Sequence, residues 1–403
     1  MAEHSDRRAR RGVVCALVGV VVLCSVPASA QAPYPDFLDR NILTGQGPAT
    51  TGAAQHRPYS LGWSTQVSAG AGLLSDIIKL PHEPGGVGGD AETGRVYVGT
   101  REGQLVCLDG GRVLWSIDIG GQLLAPPKVY KNVVIAATGE GVVYIVNKIT
   151  GERKARSILG EELITIPVVA DDGAGHTRIY VGSSAESVFS VNLEDGAKVW
   201  RAHRDAPSGF SIFGFAQPVA AAGSVFAAFA DGVVEALDPA NGATRWDKHL
   251  SPAGDMIDVD GLTYNGVSLF AASYSGGVFA IDPASGLVLW QHKLPQANRI
   301  VTDGLRVYAG GPGYWAGLRA YDGKELWRYA FGDGRSQTVA SVTDKLLIFA
   351  EQDGPILFVD KKTGAGVGAL SVGDGFSSPP SMLGPVLFAL SNYGRVWSAI
   401  VAP

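Results

Sequence analysis

An apolar strand core recurs eight times along this chain, and a repeat of that kind leaves few folds open. The copies are RVYVGT from Arg95, VVIAAT from Val133, RIYVGS from Arg178, SVFAAF from Ser224, SLFAAS from Ser268, RVYAGG from Arg306, LLIFAE from Leu346 and VLFALS from Val386. The seven steps between Arg95 and Val386 average about 42 residues, the period of one four-stranded propeller blade. Gly and Pro are abundant and helix-period segments scarce. The pattern predicts an all-β fold: an eight-bladed β-propeller of four-stranded antiparallel blades.

After each core comes a short turn, usually with Gly, then a second strand ending in Asp or Asn, another turn, and often a Trp. The fullest copies are GVVEALDPANGATRW from Gly232 and GVFAIDPASGLVLW from Gly277. Their Asp-Pro-Ala-x-Gly suits a type I turn closed by a left-handed Gly in a bulged hairpin. Weaker copies end at Trp115, Trp200 and Trp327; those from Gly141 and Gly354 keep Thr-Gly turns without the Trp. Strands apolar on both faces fit radially stacked blades, and the tryptophans read as blade-packing residues.

The eighth copy runs through GRVWSAI from Gly394 and stops at Pro403 without an outer strand. SLGWSTQVSAG from Ser60 resembles VLWSIDIGG from Val113, so the N-terminal segment is predicted to pair into the last blade and close the ring, leaving no open sheet edge there. The domain organisation is therefore 1–30 signal peptide, 31–58 flexible leader and 59–403 propeller. Arg7, Arg8, Arg10 and Arg11 precede an apolar run over residues 12–26, and Ala28-Ser29-Ala30 is a small-x-small cleavage site. The run is too short for a membrane span of ~20 residues. Cys24 offers a lipid-anchor site, but Leu23 stands where a small residue is wanted, so a soluble periplasmic form is expected over an anchored one. Cleavage after Ala30 leaves Cys107 as the single thiol and excludes an internal disulfide.

Residues 1–30 hold four arginines and two acids, so of 33 basic and 38 acidic residues the processed chain keeps 29 and 36, a net charge of −7. That argues against nucleic acid as a partner, since its backbone rewards basic surfaces. The seven His are scattered without zinc spacing, no Cys-x-x-Cys exists, and SYSGG from Ser273 lacks the first Gly of a nucleophile elbow. GGVGGD from Gly85 does not match a phosphate loop and precedes a strand, so it reads as a loop entering the first blade. Asp171-Asp172 and Glu161-Glu162 read as solvated turns. No catalytic residue, cofactor site or metal site is expected.

Two stretches suit a binding face. PSGFSIFGFAQP from Pro207 places Phe210, Ile212, Phe213 and Phe215 on the connection into one blade, and is longer than its equivalents LLAPP from Leu123 and LITIP from Leu163. One blade later GDMIDVDG from Gly254 brings Asp258 and Asp260 to one side of a strand. Like charges held together are unfavourable unless they face water, a cation or basic partner groups. Solvent exposure and a binding surface are the two readings left open.

The stretch IDVDGLTYNGVSLFAASYSGGVFAIDPASGLVLWQHKL from Ile257, followed by RIVTDGLRVYAGG from Arg299, resembles the BamB family of outer-membrane β-barrel assembly proteins. The resemblance covers roughly residues 59–403, within the wider set of quinoprotein-like propellers that share the repeat. It implies a non-catalytic scaffold at the periplasmic side of the outer membrane that binds the periplasmic domains of a BamA-like protein, holds them for nascent barrel clients, and meets the membrane through that partner. The acidic contacts it implies fall on Asp258 and Asp260, and the apolar ones on Phe210 and Ile212. The family carries an arginine where this chain has Phe213. Extended clients could add to outer-strand edges. The alternatives are an exported propeller serving another envelope partner, or a pyrroloquinoline-quinone dehydrogenase, which would need a neighbouring-cysteine disulfide and long insertions.

The cleavage site carries an expected outcome: intact-mass analysis of the exported chain finds an N-terminus at Gln31, and a product that retains Cys24 with added acyl mass would replace the soluble form by an anchored one.

Overall fold

The computed structural model describes residues 58–68, 83–205, 216–250, 258–330, 336–352, 354–373 and 375–402. The expected signal segment and the leader up to residue 57 lie outside them. The described residues form eight four-stranded antiparallel sheets in a ring and contain no helix. Blade 1 runs outward through Val87–Gly89, Val96–Gly99, Gln104–Asp109 and Arg112–Asp118. The next six repeat that order, from blade 2, whose innermost strand is Lys128–Tyr130, to blade 7, whose outer strand is Gly366–Leu370. In blade 8, Ser381–Leu383, Val386–Leu390 and Arg395–Val401 are completed by Tyr59–Gln66, with Tyr59 opposite Val401 and Gln66 opposite Arg395. The N-terminal strand thus supplies the missing outer strand.

Second and third strands are buried throughout, from Val133–Ala137 in blade 2 to Ile356–Asp360 in blade 7, because each lies between neighbouring blades on both faces. Outer strands alternate half-buried and exposed, as Thr244–His249 does, because only their inward side meets another blade. The Asp-Pro turns form as the sequence predicts. Ala240 N bonds Asp238 Oδ1 at 2.9 Å, Gly242 N bonds Asp238 O at 2.8 Å, Gly242 has φ +75°, and the register shifts between Ala236 and Leu237.

Each outer-strand Trp is held between two blades. Trp63, Trp115, Trp200, Trp246, Trp290 and Trp327 lie beside an aromatic of the second strand of their own blade, with ring centroids 5.7 to 5.9 Å apart. Their other side covers a positive-φ glycine in the third turn of the next blade: Gly111, Gly151, Gly242, Gly286, Gly323 and Gly364 in order. A methyl group on Gly242 would come 2.8 Å from Trp200 Cδ2. Trp200, Trp246, Trp290 and Trp327 also donate Nε1 to a carbonyl of that same turn at 2.9 to 3.0 Å. The two Trp-less blades differ. Ala155 faces Gly196 across the seam from blade 2 to blade 3, whereas at the ring closure Pro58 packs on Gly368 and Tyr59 donates to Ala369 O.

Two sequence expectations change here. Val87–Gly89, read as part of an entry loop, is the innermost strand of blade 1, and its glycines are needed for close approach: a methyl on Gly88 would sit 2.1 Å from Pro127 O. Asp172, read as solvated, is buried and closes its turn by accepting from Ala174 N and His176 N and pairing with Arg178 at 2.8 Å. Those bonds outweigh its burial and hold its pKa down at about 2.

Trp200→Ala is expected to cost about 3–5 kcal/mol of stability, from lost packing plus the lost indole hydrogen bond to Pro239 O, which keeps the longer one from the Tyr180 hydroxyl at 3.4 Å, and Gly242→Ala to destabilise through both strain and clash. Denaturant midpoints compared with wild type check both.

Candidate functional site

The inner strands surround a central channel with a volume of about 940 Å³, lined among others by Thr165, Gln217, Asp260, Arg299, Gln337 and Ser377. At one end of the ring the chain passes from outer strand to next inner strand and turns between second and third strands; the other two turns of every blade lie at the opposite end. Of the binding residues expected from sequence, Asp258 and Asp260 belong to the first end. Phe210, Ile212 and Phe213 fall in residues 206–215, outside the described residues. Asp258 and Asp260 are described.

Asp258 is buried at the entrance to Val259–Tyr264, the innermost strand of blade 5, where its carbonyl accepts from Tyr274 N at 3.1 Å. Asp260 occupies a bulge, since Val259 pairs with Ser273 but Gly261 pairs with Ala272. The bulge turns its side chain toward the channel, and its Oδ1 is buried without a hydrogen-bond partner. Asp258 is therefore not solvent-exposed, and Asp260 is half-buried with one carboxylate oxygen out of reach of water. Burial is the first cause of a pKa for Asp260 pushed up to about 7; the charge of Asp258 adds to it, Arg299 opposes it, and Glu186 adds again.

No sequence motif marks Glu186. It lies in the turn before Ser187–Asn192, the third strand of blade 3, with φ +55°. Blades 1, 2, 4, 6 and 8 have glycine at the matching place: Gly103, Gly141, Gly232, Gly313 and Gly394, all left-handed. A side chain held in that region is strained, and such strain gathers at functional sites. Glu186 is buried; Oε2 accepts from Ala230 N at 2.8 Å, while Oε1 is buried without a partner. Burial is the first cause that raises its pKa, with Asp231 and Asp258 adding. The signal was in the sequence: SSAESV from Ser183 is the blade turn without Gly.

Basic groups frame this corner. Arg299 opens the innermost strand of blade 6 and gives Nε to Gln337 O at 3.2 Å and Nη1 to Asn298 O at 2.8 Å; burial lowers its pKa and Asp260 resists that. Arg204, just before residues 206–215, pairs with Asp231 at 2.7 Å and Glu235 at 2.6 Å, and its amide bonds Glu186 O at 3.1 Å. The start of that connection is thus tied to the turn that carries Glu186.

Nucleophilic chemistry finds little support in this arrangement. Ser187 Oγ lies 3.2 Å from His203 Nδ1, and His203 Nε2 lies 3.6 Å from Asp205, but Ser187 is buried and its oxygen accepts from Arg201 Nε at 3.0 Å. Among the described residues no three acidic, His or Cys side chains are grouped to hold a metal ion. Cys107 is buried and free, and burial pushes its thiol up to about 11. Among the described residues no helix is long and apolar enough to cross a membrane.

Comparison with known proteins adds the following. A profile of the family described as "Outer membrane protein assembly factor BamB" matches residues 60–156, 156–259 and 258–402. The chain is 24% identical over 394 residues to the BamB of Bordetella pertussis, covering 94% of each, and 25% identical over 295 residues to that of Shewanella oneidensis, covering 69% of this chain and 71% of the relative. The crystal structure of BamB from Moraxella catarrhalis superposes with a TM-score of 0.72 at 19% identity, covering 85% of this chain and 99% of that one. A quinohemoprotein alcohol dehydrogenase from Comamonas testosteroni superposes at 0.66 and 13% identity, over 86% of this chain and 77% of that one, which is a likeness of fold alone.

Asp260 keeps its proton in the fold up to about pH 7 but loses it near 3.8 when unfolded, so its burial weakens the fold as pH rises through that window. Asp260→Asn is expected to raise the denaturant midpoint at pH 8 and to leave it nearly unchanged at pH 4. Denaturation across pH checks this; an equal effect at both ends would mean that the carboxyl does not titrate there.

Proposed function

Because the chain belongs to the BamB family of outer membrane protein assembly factors, we propose that it is the non-catalytic scaffold of that process, docking on the periplasmic domains of a BamA-like partner through the end of the ring that carries Asp258, Asp260 and Glu186. The observation that carries this reading is the gathering of three carboxylates at the rim of the channel, with Asp260 Oδ1 and Glu186 Oε1 buried and lacking hydrogen-bond partners. Buried like charges are stabilised when a cationic side chain enters among them. A Lys or Arg of the partner would do that, and would draw the proton off Asp260.

Phe210, Ile212 and Phe213, on the connection that follows Arg204, would supply apolar anchors beside the acidic corner, in the usual division of an interface into apolar core and charged rim. The placement proposed is periplasmic, at the outer membrane, with processing after Ala30. Extended barrel clients would meet the outer strands or the partner; crosslinking that finds them only on the partner would remove the first option. A family described by assembly, and not by a reaction, agrees with the non-enzymatic reading and sets the quinone dehydrogenase aside.

The test is recovery of tagged chain from native envelopes in mild detergent, with the partner identified by mass spectrometry. Wild type is expected to retain the BamA-like protein, and the Asp258→Ala, Asp260→Ala double variant to retain at least about tenfold less, the scale of one lost charge pair. Retention should weaken between pH 8 and pH 5.5 as Asp260 takes up its proton. Absence of that partner from wild type and variant alike would assign the ring to another envelope protein.

A further inference from the structure

The opposite end of the ring carries a surface that the acidic corner does not explain. Val267, Leu287, Leu305 and Tyr321 are 74, 62, 78 and 75% exposed, more than any other large apolar or aromatic side chain among the described residues except Ile158. All four are on turns of blades 5 and 6, at the end of the ring away from Asp258. Val267 and Leu305 occupy the turns between first and second strands, Leu287 and Tyr321 those between third and outer strands.

Hydrogen bonds hold these turns side by side. Asn265 Nδ2 donates to Gly304 O at 2.9 Å, joining the Val267 and Leu305 turns. Ala320 N donates to Leu305 O at 3.1 Å, joining those of Leu305 and Tyr321. Trp290 Nε1 donates to Ala320 O at 3.0 Å, tying the strand after Leu287 to the same turn. The four side chains are therefore a fixed group of projecting turn tips. Protruding tips do not form a groove for a helix or strand; they fit a soft, flat surface that they can enter.

Charge says which surface. Around the tips Asp303 pairs with Lys361 at 3.1 Å and Asp322 with Arg319 at 2.5 Å; farther round this end Asp90, Asp172 and Asp238 pair with Lys148, Arg178 and Arg245, whereas Asp171, Glu194, Asp195 and Asp344 are exposed. Beside the tips, Arg319 stacks on Tyr321 at 4.5 Å, and Lys324 and Lys362 are exposed. At the acidic end Glu102, Glu140, Glu162 and Asp205 are exposed. An anionic surface would be drawn to the cations beside the tips. Apolar tips with an aromatic and flanking cations are the chemistry of interfacial lipid binding. The chain also enters the ring here, at Pro58, whose carbonyl accepts from Ala402 N at 2.7 Å.

We propose that the turn tips of blades 5 and 6, Val267, Leu287, Leu305 and Tyr321 with Lys324 and Lys362, form a peripheral docking surface for anionic lipid, so that one end of the ring meets the membrane while the acidic end faces the protein partner. The inference does not rest on the partner reading.

The test uses the processed chain from Gln31, carrying no acyl group, with vesicles of phosphatidylcholine alone or mixed with phosphatidylglycerol. Wild type is expected to sediment with the mixed vesicles, more weakly with phosphatidylcholine, and less as salt rises. The combined Val267→Ser, Leu287→Ser, Leu305→Ser, Tyr321→Ser variant should bind at least about tenfold more weakly, with an unchanged unfolding midpoint because these side chains are already exposed. Asp258→Ala, Asp260→Ala should bind vesicles as wild type does, which separates this surface from the partner site. Wild type that stays in the supernatant, or a tip variant that binds equally well, overturns the proposal. A concentration-dependent dimer abolished by the same four substitutions would assign the surface to a second copy and overturn it too.

Discussion

The indole of one blade lying across a left-handed glycine of the next is the contact on which the ring depends. It is made six times, from Trp63 on Gly111 to Trp327 on Gly364, and it joins two requirements that neither residue meets alone. The glycine turns the hairpin where an L side chain would be strained, and the missing Cβ opens the space that the ring fills. Neighbouring blades are thereby fixed at a set separation, and with it the width of the channel and the spacing of the loops around it. The two seams without Trp show what the motif replaces. At the seam between blades 7 and 8 the roles are exchanged: Gly368 stands at the Trp position of the outer strand, and Pro58, at the start of the N-terminal strand, packs on it.

That regularity makes departures meaningful. Glu186 holds a conformation that five matching turns give to glycine, and it lies in the electrostatic field of Asp258 and Asp260 two blades on. Strain, unpaired buried oxygens and raised pKa values converge at one rim of the channel, while on the other end the tips of blades 5 and 6 are flanked by Arg319, Lys324 and Lys362. The resulting molecule has a costly end with buried carboxylates suited to a basic protein surface and an end with projecting apolar tips beside cations. A scaffold gains orientation from such a difference, because each end disfavours the other's partner.

Much of the fold was legible because a propeller writes its period into the chain. The strand cores, the Asp-Pro-Ala-x-Gly hairpins with their bulges, the Trp positions and the borrowed outer strand Tyr59–Gln66 are all local or repeated signals. The Asp-Val-Asp entry to blade 5 was legible as an anomaly, since paired like charges ask for an explanation. Its burial was not, because burial depends on blades 3 and 6, which bring Glu186 and Arg299 beside it from 74 residues upstream and 39 downstream of Asp260. Asp172 failed for the same reason: an acidic pair in a turn looks solvated until the Arg178 side chain folds back over it.

Sequence by itself determined the architecture, the number of blades and how the ring closes, since these follow from hydrophobic periodicity and turn chemistry that act between neighbours along the chain. Tertiary structure alone decided which charges share a corner and which exposed side chains share a surface. Asp260 and Glu186, or Val267 and Tyr321, are distant in the chain and carry no common pattern. Only closure of the ring sets them together, because electrostatic and interfacial energies depend on distance through space and not on separation in sequence.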